Sequence, residues 1–173
     1  MDIKFYEKCL EIQWITTTEL GINTKFVNEH LFLIAKTHLE NMENERCPVD
    51  KLKCVQKAFT ILNNCIIFCS GKKDGGGVDD IMPMLIYIII KAKQKKMYSN
   101  FQFIKAMIHP RKLLANYGFV LSQVEVSMEY IMNLNHETLK ITEEEFLRKS
   151  SVIKTEGEDA NRRKGLSKLS NVN

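Results

Sequence analysis

Two adjacent carboxylates, Asp79 and Asp80, stand between a glycine-rich stretch and the most apolar run of the chain. At the start of a helix such a pair serves as an N-cap and a first-turn acid, which is a sufficient local role. Presented outward, a fixed anion of this kind could instead meet a cationic group on a partner. The glycines invite a second chemistry, because glycine-rich loops cradle phosphates. The Gly-Lys-Ser/Thr string of a phosphate loop does not follow Gly75, Gly76 and Gly77, and Lys72 and Lys73 precede them, so 70–78 (SGKKDGGGV) reads as a connector. Cys65 and Cys69 are one helical turn apart, as metal ligands can be. No His or Cys pair of matching spacing completes a tetrahedral set, so they read as core thiols and no metal is expected. His30 and His38 share a helix without an HExxH arrangement, while His109 and His136 fall at helix ends; none receives a catalytic role. The cluster 91–96 (KAKQKK) could touch acidic lipid or a partner, and 161–168 (NRRKGLSK) could be a membrane-surface patch. Simpler readings are a solvated helix C-terminus for the first and a solvated tail for the second.

The elements that would hold these groups are helical throughout. Residues 3–15 place Phe5, Cys9 and Ile12 on one stripe, with Leu10 on the neighbouring row. Thr16 and Glu19 have capping-box spacing and predict a fresh short helix. Asn23 or Thr24 then caps a longer helix carrying Phe26, Val27, Leu31, Ile34, Ala35, Leu39 and Met42. Pro48 suits the first position of the next helix, whose apolar face runs from Val49 to about Cys69. By periodicity alone, 79–93 could be a buried strand or a buried helix. A cap at Asp79 or Asp80 and a first-turn Pro83 favour the helix, and a lone strand would have no partner. A helix over 99–108 follows, then an irregular link over 109–118. Ser122 with Glu125 opens a helix to Leu134, and Thr142 with Glu145 opens a last one.

Composition bounds the function. The 173 residues suit one compact domain, and 45% hydrophobic with 27% charged residues supports a globular core. The net charge of +4 divides into +2 before residue 151 and +2 after it, too diffuse for nucleic acid. Five cysteines, with no secretory signal before them, predict reduced thiols in the cytosol. The apolar run Ile81–Ile90 is half the roughly 20 residues that a bilayer requires, so a soluble chain is expected. Residues 151–173 have few apolar side chains and read as a disordered basic and polar tail.

At this point the residues match a family. The strings DDIMPMLIYIIIKA, SNFQFI, HPRKLL and GFVLSQVEVSMEYI occur in order between Asp79 and Ile131. Together they resemble the Vps-nine (vacuolar protein sorting nine) domain. IQWIT, LG and CPVDKLKCV upstream are similar to its Rabex-like, rabaptin-binding branch, and the similarity runs from about Gln13 to Lys149. The resemblance implies an all-α, layered domain of about six to eight helices. It places N-terminal helices over 1–46, resembling the end of a helical bundle, and the catalytic domain over 47–150. It also implies guanine-nucleotide exchange on a Rab-five-class small GTPase at early endosomes, with GDP, GTP and magnesium belonging to that partner. No cofactor of the chain's own is implied. A coiled-coil effector is admitted as a further partner, with membrane association peripheral at most.

By the same resemblance Asp79 is the catalytic anion, competing for the lysine of the GTPase phosphate loop and disfavouring the metal. Pro83, Phe119 and Ser122 meet the GTPase, while Asp80, Asn100 and Gly118 are structural. The chain departs from the family's pattern in three places. Phe119 stands where a tyrosine is usual, Gln94-Lys95 replaces a Pro-Pro pair, and no zinc-finger spacing precedes the domain. The short N-terminal segment predicts a core incompletely covered at that end. Two other readings remain, a module that docks the GTPase but exchanges slowly, and a helical scaffold without a GTPase partner.

Overall fold

The most apolar segment forms a helix at the centre of the molecule. In the computed structural model, which describes residues 1–71, 77–109, 111 and 116–151, this helix runs Val78–Ala92. It is called α4 here. It follows α1 (Asp2–Glu11), α2 (Glu29–Asn41) and α3 (Pro48–Ser70), and precedes α5 (Met97–Met107), α6 (Asn116–Asn133) and α7 (143–151). Among the described residues every regular element is helical, which is the all-α class expected. Three features read from the sequence lie wholly or partly outside those residues: the connector at 72–76, the link at 110 and 112–115, and the tail at 152–173.

Ile81, Met84, Leu85, Ile86, Ile88, Ile89 and Ile90 of α4 are all buried, so the helix is apolar around most of its circumference. It packs against α2 and α3 on one side and α6 and α1 on the other, while α5 lies against α1 and α3. One core joins these layers, from Phe5 and Ile12 to Ile131 and Phe146. Removing a side chain such as Leu85 should cost about 2–5 kcal/mol, as in other close-packed cores.

The helix ends explain the connectivity. Pro48 occupies the first turn of α3, and Gly71 ends that helix at φ 67, a left-handed cap that glycine adopts without strain. Lys51 is buried at the start of α3, and its Nζ donates to the Met42 carbonyl at 2.8 Å, tying the helix to the end of α2. At α7, Thr142 Oγ1 accepts from the Glu145 amide at 3.2 Å, the expected cap. This last helix then closes on the N-terminal segment. Trp14 Nε1 donates to Ser150 Oγ at 3.2 Å, and its ring meets Phe146 edge-on at 5.8 Å.

Several expectations need correction. Only half of the Thr16–Glu19 box forms: the Thr16 amide donates to Glu19 at 2.8 Å, but Thr16 Oγ1 accepts from the Thr18 amide at 3.3 Å, and the segment makes a turn over 17–21 and no helix. Gly21, at φ 66, turns the chain back before a second turn can form. The long helix expected from Asn23 is divided. Asn23 caps a short 3-10 turn (Thr24–Phe26), Val27 and Asn28 are extended, and Asn28 then caps α2 by accepting from the Leu31 amide at 3.0 Å. Of the presumed core thiols, Cys65 is buried but Cys69 is exposed. The α6 helix starts at Asn116, so Ser122 is no cap; its Oγ donates back to the Phe119 carbonyl at 2.7 Å. The basic cluster is not simply a solvated helix end either. Lys91 donates to the Gln13 carbonyl at 2.7 Å, and Gln94 is buried with its amide donating to the Leu39 carbonyl. No helix among the described residues is long and apolar enough to cross a membrane.

Candidate functional site

The site is built around the N-terminus of α4. Gly77 takes the cap position, extended at φ −63 and ψ 164 and without a side-chain cap bond, so neither Asp79 nor Asp80 is the cap predicted. They are the second and third residues of the helix, and both are exposed. Neither carboxylate makes a hydrogen bond or ion pair among the described residues. The local sequence explains why: a helical acid finds its cation three or four residues on, and those positions here hold Met82, Pro83 and Met84. The N-terminal end of the helix dipole favours an anion at this place, and neither carboxylate is committed to a partner among the described residues.

Pro83 lies in the second turn, not the first as expected. Four residues after Asp79, it supplies no N–H to the Asp79 carbonyl, and the helix opening is therefore missing one ladder bond. Asp79 and the half-buried Pro83 share one face of α4 at this spacing.

Beside this helix end is a cleft of about 270 Å³ where three helices converge. Its floor is the stripe Gln56, Phe59, Thr60 and Asn63 of α3, spaced at threes and fours on one face. Val78 and Ile81 of α4 form one wall, and Phe119 and Val120 of α6 the other. Phe119 is 48% exposed and meets Phe59 edge-on, with ring centroids 5.9 Å apart and planes at 90°. Val78, next to Asp79, is 42% exposed. The result is an open aromatic cleft, edged by polar α3 side chains, with Asp79 next in sequence to its Val78 wall.

The other predicted residues fall at different distances from this centre. Ser122 is exposed one turn beyond Phe119 on α6, and Gly118 lies in the first turn of that helix, inside it and not before it. Asn100 is buried in α5 at 8% exposure, away from the cleft lining, and its Nδ2 has no hydrogen-bond partner among the described residues. Gln56, Phe59, Thr60 and Asn63 were not singled out from the sequence. Phe59 sits in an apolar periodicity and reads as core, although the stripe it shares with three polar residues was a usable signal. Phe68, near the end of α3, is 88% exposed. Among the described residues no cluster of His, Cys, Asp or Glu could hold a metal ion.

The described residues thus form an all-helical domain with two exposed carboxylates at a helix start and an aromatic cleft nearby. The Vacuolar sorting protein 9 (VPS9) domain matches residues 32–136, from α2 through the end of α6, and the chain belongs to that family. It is 28% identical over 148 residues to the Vacuolar protein sorting-associated protein 9A of Arabidopsis thaliana, covering 84% of this chain and 28% of that protein. With the Vacuolar protein sorting-associated protein vps901 of Schizosaccharomyces pombe it shares 31% identity over 144 residues, 81% of this chain and 24% of the relative. The Rab5 GDP/GTP exchange factor of Homo sapiens is 27% identical over 152 residues, 84% of this chain and 30% of that factor. The chain thus spans under a third of the length of these relatives.

Proposed function

We propose that the chain is a guanine-nucleotide exchange module for a Rab-five-subfamily GTPase, with Asp79 as the residue that drives nucleotide release. The observation that carries this reading is the exposed Asp79 carboxylate in the first turn of α4, without a partner among the described residues and next in sequence to the Val78 wall of the Phe59–Phe119 cleft. The family membership and the printed name of the human relative support it.

The chemistry is electrostatic competition. A GTPase holds the phosphates of GDP through a phosphate-loop lysine and Mg²⁺, so its site is built to receive negative charge. Asp79 enters that site as a preorganised anion, pairs with the lysine and disfavours the metal, and GDP loses both anchors. An aspartate already salt-bridged within its own domain would first have to break that pair. Among the described residues Asp79 has no such pair to break. Phe119, Phe59 and Val78 provide an apolar surface for the switch regions of the GTPase, and Pro83 and Ser122 extend it along α4 and α6. Asp80 keeps the helix start anionic. On this reading the chain acts in endocytic trafficking at the early endosome, with a coiled-coil effector or a peripheral membrane contact to recruit it.

A second reading rests on Phe119. Without a tyrosine hydroxyl the cleft loses one hydrogen bond to the partner, and the module would dock the GTPase while exchanging slowly. Release of mant-GDP from a panel of Rab GTPases, together with binding to nucleotide-free GTPase, separates the readings. Accelerated release from Rab-five-subfamily members supports exchange, and binding without acceleration supports the docking module. Neither binding nor acceleration with any Rab would remove both.

A further inference from the structure

The opposite end of α4 builds a second concavity that nucleotide exchange does not use. It lies about 20 Å from Asp79 along the helix axis, at about 1.5 Å per residue. Its volume is about 530 Å³, and it is lined by the segment 13–17, by α2 and the residue Val27 before it, and by the last two turns of α4 with Lys93. Two ammonium groups meet on one residue here. Lys91 Nζ donates to the Gln13 backbone carbonyl at 2.7 Å, and Lys93 Nζ donates to the Gln13 side-chain oxygen. Neither lysine has a carboxylate partner among the described residues.

Of the nearby acids, Glu19 and Glu40 are engaged elsewhere and Glu29 lines the cavity wall. Glu19 is held by Thr16 and by Lys149 at 3.5 Å. Lys36, also on the cavity wall, pairs with Glu40 at 2.9 Å, and Glu29 lines the wall without an ion pair. Lys93 is fixed in the left-handed region at φ 47 and ψ 44, a conformation that a residue with a β-carbon seldom adopts. Burial first, and then the neighbouring Lys93 charge, hold the Lys91 ammonium below the usual lysine range. Two close cations, both held by carbonyl oxygens of Gln13 and one also over the Tyr87 ring, favour an anion, which relieves the repulsion and part of the desolvation together. Phe32 and Tyr87, with ring centroids 5.4 Å apart, form an apolar wall that begins at Lys91, whose Nζ lies 5.2 Å from the Tyr87 ring centroid, and Leu33 stands at 55% exposure on its rim.

We propose that this cavity binds an organic phosphate, whose phosphoryl oxygens accept from Lys91 and Lys93 while its uncharged body lies on Phe32 and Tyr87. The volume is far larger than a bare phosphate ion needs, and the apolar wall gives the remainder of the ligand a surface. The phosphate could belong to a soluble molecule or to a lipid headgroup, and the recognition chemistry is the same for both.

The purified chain is titrated calorimetrically with inositol trisphosphate, AMP and inorganic phosphate. It is also floated with phosphatidylcholine vesicles that contain or lack phosphatidylinositol phosphate. Saturable binding of inositol trisphosphate or AMP, tighter than that of inorganic phosphate, is expected. Lys93→Gln should weaken it about tenfold or more, since a charge-assisted contact is lost, whereas Lys95→Gln, the same charge change nearby, should alter it by less than about twofold. Leu33→Glu, at an exposed rim position, should also weaken binding without unfolding the chain. Flotation that requires the phosphorylated lipid assigns the site to a headgroup, and soluble binding without flotation assigns it to a free phosphate ester; both support the site. Absence of saturable binding to every probe, or equal weakening by Lys93→Gln and Lys95→Gln, overturns it.

Discussion

Truncation of Phe119 to alanine separates an aromatic anchor from a core residue, and the structure sets the sizes. A fully buried phenylalanine removes about 150–250 Å² from water. At 48% exposure Phe119 hides about half of that in the free chain. At about 25 cal/mol per Å², roughly 100 Å² is worth about 2.5 kcal/mol, an upper bound because alanine keeps its β-carbon. Phe119→Ala should therefore cost about 2 kcal/mol of stability, less than the 3–5 kcal/mol of a fully buried ring. A domain of ordinary stability stays folded after that loss. The exposed half is what a GTPase would cover, so a similar energy should disappear from the transition state for exchange. At 1.36 kcal/mol per factor of ten, that is a fall of roughly 30- to 70-fold in kcat/KM. Phe119→Tyr is the complementary change. The ring edge is open to the cleft, so a hydroxyl there should leave stability within about 0.5 kcal/mol and speed exchange by about two- to twelvefold. Thermal melts and mant-GDP release on the same preparations check both. Unfolding by Phe119→Ala, or marked destabilisation by Phe119→Tyr, would put the ring in the core. A folded Phe119→Ala chain with an unchanged rate would remove it from the interface.

Three further outcomes follow from the geometry. Pro83→Ala returns an N–H to the Asp79 carbonyl, so it should raise stability by about 1–3 kcal/mol while slowing exchange; a melt and a release assay show whether the two move in opposite directions. Burial pushes the Glu19 carboxyl up, but the Thr16 hydrogen bonds and Lys149 outweigh it and hold the group below its ordinary 4.5. Its stabilisation is therefore present above that pH and is lost as pH falls through the lower folded value, and Glu19→Gln should flatten the loss of Tm in that acid window. Burial pushes the Cys9 thiol up to about 12 and, with Cys69 beside it, Cys65 to about 11, whereas Cys47 and Cys69 are exposed. Native alkylation mapped by mass spectrometry should modify Cys47 and Cys69 first, with Cys9 and Cys65 reacting only on unfolding.

The helices that carry the centre of the fold were legible because their signals are local and agree. Pro48 and Gly71 bracket α3, and α4 reads as a helix chiefly because a lone strand among helices would have no partner. The Asp cap and first-turn proline that also favour a helix are replaced in the structure by Gly77 and a second-turn Pro83. Misreadings arose where one short pattern has two physical outcomes. Ser-x-x-Glu at Ser122 matches a capping box, but a serine inside a helix satisfies its hydroxyl equally well by donating back to Phe119. Asn23 and Asn28 are both good caps, and the sequence does not say that both are used. The lysines at the end of α4, Lys91 and Lys93, looked solvated because their partner, Gln13, lies 78 and 80 residues away. At the candidate site, Asp79 was visible as a residue type with an unusual lead-in. The cleft beside it was not, since its α3 floor is assembled only when three helices converge and Phe59 turns half outward.

Matched isosteric removal of the two first-turn charges tests the role of Asp79 most directly. Release of mant-GDP from a Rab-five-subfamily GTPase is followed with the unaltered chain, with Asp79→Asn and with Asp80→Asn, each checked by its melting curve. Both substitutions remove one exposed acid from the same helix turn, so their effects on stability should agree within about 1 kcal/mol. If Asp79 is the anion that takes the phosphate-loop lysine, Asp79→Asn should slow release by about tenfold or more, the loss of a charged hydrogen bond, while Asp80→Asn stays within a few-fold of the unaltered chain. A folded Asp79→Asn chain that releases nucleotide as fast as the unaltered one, or equal slowing by both substitutions, would contradict the assignment.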